Sequence, residues 1–194
     1  MIKLEIKIED QEVRQALRRL AAQGKSLRPA MQDIGEYLVE SVKRRFAEGK
    51  GPDGTAWEPN TQATMLSFLA RRGGATSRRK GEKSGNPYYR QDGRLNKRGA
   101  GQVSGKRPLI GEAKRLSTEI HSNVTAQGVE VGSSLEYSGV QQFGAKAGEF
   151  GRTKRGGSIP WGDIPARPFL GFSDEDKANV LDILQEHLEA ALRG

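Results

Sequence analysis

The chain has 194 residues, 29% charged and 6% aromatic, with 25 glycines, no cysteine and a formal net charge of +8 at pH 7. That length supports one domain, 1–194, with one well-buried core or a core plus a sizeable extension, and the lack of cysteine excludes disulfides and thiol chemistry and fits manufacture in a reducing compartment. The first residues carry no apolar leader and no run approaches the ~18 apolar residues of a bilayer-crossing helix, so a soluble protein made in the cytoplasm, with no membrane partner, is expected.

Ile2, Leu4, Ile6 and Ile8 alternate with Lys3, Glu5 and Lys7, the period-2 pattern of a strand with one buried face. Asp10 caps a helix carrying apolar Val13, Ala16, Leu17 and Leu20, which Gly24 ends. A second helix starts at Ser26 with Pro29 in its first turn. Met31, Ile34, Leu38, Val42 and Phe46 then recur at helical spacing, so this central helix runs to about Ala47, with Lys43, Arg44 and Arg45 near its end, where the dipole favours cations. Gly49-Lys-Gly-Pro-Asp-Gly54 breaks it. Trp57, just beyond, reads as a core plug over the helix end in preference to an anchor at a subunit surface. Thr61 to Leu69 has helical character and runs out at Arg71.

From Arg71 to Arg107, twelve Lys or Arg stand against Glu82 and Asp92, a local balance of +10 that leaves −2 for the remainder. The segment has eight glycines and no hydrophobic periodicity, so 71–107 reads as a basic, glycine-rich loop or arm that orders on meeting a partner. Its cations are Arg71, Arg72, Arg78, Arg79, Lys80, Lys83, Arg90, Arg94, Lys97, Arg98, Lys106 and Arg107. On a flexible chain such side chains bind phosphates by counterion release, and Tyr88 and Tyr89 can add stacking. An acidic protein surface is the other partner open to them, and a solvated loop the plain alternative.

A short helix follows around Glu112 to Leu116. Ser117 to Val124 and Val129 to Val131 flank Thr125-Ala-Gln-Gly128 as a hairpin. Tyr137 to Phe143 has room for one or two helical turns closed by Gly144, and Ala145 to Pro160 is a second glycine-rich loop with Arg152, Lys154 and Arg155. In Ile164 to Ser173, Pro165 and Pro168 stiffen an extended strap bearing Phe169, Leu170 and Phe172, read as a buried strand-to-helix corner. Ser173 caps the last helix, and Asp174, Glu175 and Asp176 complement its dipole. Val180, Ile183 or Leu184, His187 or Leu188, and Ala191 form its apolar stripe.

Chemistry is sparse. His121 and His187 have no ligand partners at metal spacing, and His187 reads as a boundary residue of the last helix. Gly105-Lys106 fails as a phosphate loop, because Ala100 and Arg107 stand where Gly and Ser or Thr belong. There is no Gly-x-Ser-x-Gly elbow, and neither an enzyme nor a cofactor is indicated.

Arg45-Phe46, Pro52-Asp53-Gly54 with Trp57, Pro108-Leu109-Ile110, Val129-Glu-Val-Gly132, Tyr137 with Gln142-Phe143-Gly144, and Pro165-Ala-Arg-Pro-Phe-Leu-Gly171 occur in that order. Over residues 27 to 190 the chain resembles the virion morphogenesis, or tail-completion, family of tailed bacteriophages, especially Mu-like ones. The resemblance implies an α+β fold, a small antiparallel sheet packed against a long central helix and a C-terminal helix, with the long basic loop. It implies a non-catalytic subunit of the virion neck or head-proximal tail end, made in the host cytoplasm. Such subunits form a homo-oligomeric ring, six- or twelve-fold by analogy, between head-closure or adaptor proteins and the tail terminator or tail tube, with non-specific double-stranded DNA in the lumen. Trp57, Tyr137, Gln142, Phe143, Arg167, Phe169 and Phe172 are then interface candidates, and the cations of 71–107 face DNA or a neighbouring protein. A nucleic-acid-binding protein using the 71–107 arm is the alternative. Gln141 stands where relatives often have His, so no role of that His carries over.

Overall fold

The computed structural model of the protein describes residues 27–73, 87–90, 94–111, 115–125 and 128–193, with helical positions at Gln11, Gln15, Arg18 and Arg19. The strand expected at Ile2 to Ile8, the cap at Asp10, Gly24 and Ser26 lie outside these residues, and the helix expected to start at Ser26 is described from Arg28, with Leu27 at its N-cap position. Helices α1 (Arg28–Glu48), α2 (Gln62–Gly73), α3 (Lys97–Ser104) and α4 (Arg115–Thr118) precede strands β1 (Ile120–Thr125) and β2 (Gly128–Ser133), and helices α5 (Ser138–Phe143) and α6 (Asp174–Arg193) follow. They group into two compact units, 1–57 with 111–194, and 58–110.

The first unit is α+β. Helix α1 opens with Pro29, whose fixed φ and missing N–H suit a first turn, and closes at Gly49, whose N–H donates to Arg45 O at 2.7 Å. Its apolar spacing buries Ala30, Met31, Ile34, Leu38, Val42 and Phe46. The strands pair antiparallel from Ile120 opposite Ser133 to Thr125 opposite Gly128, and α1 lies against both. The approach is close at Gly35, where an added Cβ would stand 2.9 Å from Ser122 and Val129. Val180 and Leu184 of α6 join Met31, Ile34 and Leu38 in one core cluster, flanked by Val124, Val129 and Val131 of the sheet. At the cluster's edge His187 Nε2 lies 2.7 Å from Asp33 Oδ2, a boundary position as its spacing predicted.

The second unit has a small core of Phe68, Leu69 and Tyr88, with Tyr89, Leu95 and Val103 packed against it. Asn96 organises it: its Oδ1 accepts from Gly99 N at 2.9 Å, capping α3, and its Nδ2 donates to Pro87 O at 2.8 Å. Helix α2 therefore carries Arg71 and Arg72 in its last turn, and α3 lies inside the stretch where composition indicated no regular structure. Composition counts apolar residues but not their convergence, and here a few large side chains far apart in sequence meet. Residues 74–86 and 91–93 lie outside the described set.

A clasped strap and a candidate assembly surface

Residues 164–173 contain no regular strand, although the segment is extended and Phe169 and Leu170 are buried. Buried backbone groups need partners, and side chains supply them. At the strap's start Ile164 pairs with Ala145, and Arg167 N donates to Gln141 O at 2.8 Å. Trp57 Nε1 donates to Pro168 O at 2.8 Å. Gln142 behaves as a substitute strand, because a carboxamide both donates and accepts as a peptide does. Its Oε1 accepts from Phe169 N at 2.9 Å and Leu170 N at 3.0 Å, and its Nε2 donates to Leu170 O at 2.8 Å. Arg45 Nη1 donates to Phe169 O at 2.9 Å and Gly171 O at 3.0 Å.

The other guanidinium nitrogen of Arg45, Nη2, reaches Asp176 Oδ2 in a buried ion pair. Asp176 also accepts from Ser41 Oγ at 2.5 Å, Ser173 N at 2.8 Å, Ser173 Oγ at 2.7 Å and Tyr37 OH at 3.3 Å. Asp176 N in turn donates to Ser173 Oγ at 3.1 Å, the reciprocal exchange of a capping box with Asp in the place of Glu. Burial by itself would raise the Asp176 carboxyl. The hydrogen bonds from Ser41 and Ser173 and the charge of Arg45 outweigh burial and hold it below the usual value. For Arg45, burial lowers the guanidinium against the opposing pull of Asp176. Tyr37 is pushed up, first by burial and then by the Asp176 charge.

Arg45 stands in the last turn of α1 and Asp176 in the first turn of α6, as expected. What the sequence left out is that the pair is interior and ties α1 to the strap and α6. Arg44 and Glu175, 3.4 Å apart and exposed, keep the surface role. The signal was available in the spacing, since Leu38, Ser41, Val42 and Arg45 occupy one helical face and all are buried.

Trp57 folds over the helix end, its ring edge-on to Phe46 at 5.4 Å, and Phe169 packs on Phe46 from 5.2 Å. Gly144 ends α5 at φ 76°, and a Cβ there would stand 2.7 Å from Ile164 O and 2.8 Å from Ala166 N. The Gln142-Phe143-Gly144 element thus has a physical meaning: Gln142 clasps the strap, Gly144 lets it approach, and Phe143 between them is 67% exposed.

The interface candidates divide accordingly. Trp57, Gln142, Arg167 and Phe169 are buried in the single chain, where they build the frame, while Tyr137 and Phe143 are exposed. Phe172 is partly buried beside an apolar groove. Sequence reasoning passed over Phe150, 54% exposed, and Trp161, 89% exposed, because large aromatic residues in a loop carry no periodicity to say which way they point.

Comparison with known proteins places this architecture. A profile of the phage virion morphogenesis family matches residues 8–81 and 69–189. The chain belongs to the phage virion morphogenesis family. It is similar to the Mu-like prophage FluMu G protein 2 of Haemophilus influenzae, 31% identical over 86 residues, which are 44% of this chain and 55% of that relative. The match therefore spans little more than half of the relative's length. No solved structure matches the chain significantly.

In this virion morphogenesis protein the basic candidates are spread. Arg90, Arg94, Lys97, Arg98 and Arg107 are exposed on the second unit. Lys106 is half-buried: its Nζ lies 5.1 Å from the Phe68 ring centre and donates to Ile110 O. Arg71 and Arg72 end α2, and Arg78, Arg79, Lys80 and Lys83 lie outside the described residues. Tyr88 is buried with the Arg98 guanidinium 5.6 Å from its ring centre, so it does not present a face for base stacking. Among the described residues no cluster of His, Asp or Glu could hold a metal, and no helix is long and apolar enough to cross a membrane.

Proposed function

We propose that this phage virion morphogenesis protein is a non-catalytic structural subunit of the head-to-tail junction. Copies form a ring around the DNA passage, between head-closure or adaptor proteins on one side and the tail terminator or tail tube on the other. The observation that carries the reading is the exposure of Phe143, Phe150 and Trp161 in the same unit whose strap is so tightly clasped. Exposed aromatic side chains on a rigid frame are what an assembly surface offers before its partner arrives. Asp176, Arg45 and Gln142, the buried polar side chains of this region, are engaged in holding the strap.

The test is sizing of the purified chain by light scattering together with electron microscopy of the particles. Closed rings at micromolar concentration are expected, and a monomer at every concentration overturns the reading. The second reading, nucleic-acid binding through 71–107, is favoured by the exposed cations of the second unit. Tight, salt-sensitive shift of duplex DNA by a protein that stays monomeric would establish it in place of the first.

A further inference from the structure

Residues 145–164 leave and rejoin the first unit as a braced lobe. Ala145 N and Ile164 N donate to each other's carbonyls at 2.9 and 2.8 Å. Asp163 accepts from Lys146 Nζ at 2.8 Å and Ala147 N at 2.9 Å, tying both sides of the neck. Further out, Phe150 N donates to Ile159 O at 2.8 Å, and Arg152 pairs with Ser158. The lobe's acids are spent on its own neck, since Glu149 accepts from Lys146 N at 2.7 Å. Its tip carries exposed Arg152, Lys154 and Arg155, with no described carboxylate in ion-pair reach, and Trp161 projects 89% exposed.

Elsewhere on the same unit Leu38, Val42, Val129, Val131, Leu170 and Phe172 line an apolar groove open to solvent. Trp161 does not occupy the groove of its own chain. Two and three residues past Phe172 stand exposed Asp174 and Glu175, held on their own chain only by surface pairs with Lys177 at 3.1 Å and Arg44 at 3.4 Å, which are weak enough to exchange partners, and α6 continues with Asp182, Glu186 and Glu189 against Arg193. A basic lobe with an aromatic knob and an acidic rim beside an apolar socket are complementary, and they are different patches of one subunit. That is the requirement for a head-to-tail contact, which closes into a ring when its rotation allows.

We propose that Trp161 of one copy seats in the Leu38–Phe172 groove of the next, with Arg152, Lys154 and Arg155 facing Asp174 and Glu175. This rests on the ring reading and names its contact. A buried aromatic anchor removes ~150–250 Å² from water, enough to act as the contact's hot spot.

The full chain lacks cysteine, so disulfide trapping has no background. Oxidation of the Arg155→Cys, Asp174→Cys double variant is expected to give a ladder of linked oligomers, and each single variant none beyond a dimer. Trp161→Ser, at an exposed site, is expected to keep the melting temperature and to weaken association about 30-fold or more. Rings formed by Trp161→Ser as readily as by the unaltered chain overturn the knob and leave the ring standing. A monomeric unaltered chain overturns the ring and the knob together. Efficient intramolecular disulfide formation in a Leu4→Cys, Val131→Cys variant would mean that the chain's own amino-terminal segment fills the groove, and this too overturns the proposal.

Discussion

Asp176 and Arg45 depend on each other, because each is a buried charge whose desolvation is offset by the other. Asp176→Ala is expected to destabilise the fold by about 3–5 kcal/mol in urea unfolding. Replacing both by apolar residues often restores an isolated buried pair. Here it is expected to leave a deficit, because Arg45 also serves the carbonyls of Phe169 and Gly171. The pair also sets an acid limit. Asp176 is depressed in the folded state, so the unfolded chain binds its proton more readily and stability rises with pH through this range. The contribution is complete above the ordinary carboxylate value of ~3.9 and is lost as pH falls through the lower folded value. Asp176→Asn is expected to flatten the stability profile below about pH 4, read as urea midpoints against pH. Gln142 and Phe143 are neighbours with opposite duties. Gln142→Leu strands two N–H groups and a carbonyl of the strap, at about 1–3 kcal/mol for each left unpaired. Phe143→Ser is expected to change stability by no more than about 0.5 kcal/mol and to act on assembly.

The strap shows how a segment can be extended and buried without belonging to a sheet. Two prolines remove backbone donors that a ladder would use, and Arg45, Trp57 and Gln142 reach it from three other segments of the chain. Helix α6 is then placed by the capping box at Ser173, so the corner between strap and helix is set by the same carboxylate that anchors α1. In the second unit α3 depends on one cap. Asn96→Ala is expected to cost about 0.5–2 kcal/mol locally. Amide exchange over 97–104 should accelerate while α1 stays protected; equal acceleration in both would show that the two compact units unfold as one.

For the whole molecule, charge is distributed by unit. The second unit carries exposed cations, and the first is acidic along α6 with a basic lobe tip. If 71–107 faces DNA, replacing Arg90, Lys97 and Arg98 by Ala lowers the salt slope of duplex binding by about 0.9 per lost phosphate contact and leaves ring size unchanged. An unchanged slope assigns those residues to a protein neighbour.

The sequence by itself determined the central helix, the hairpin, the short helix ending at Gly144 and the capped last helix, because each is written in local spacing: Ile34 to Phe46 every three or four residues, and Ser173 immediately before α6. The order of motifs pointed to the family that the profile match over residues 8–81 and 69–189 shows. Tertiary structure alone decided that Arg45 and Asp176 meet inside, that Gln142 stands in for a missing strand, that Tyr88 is core, and that Trp161 faces outward. Each of these depends on which distant groups satisfy a backbone or cover a ring. Residues 131 positions apart, as Arg45 and Asp176 are, share no periodicity from which their contact could be read.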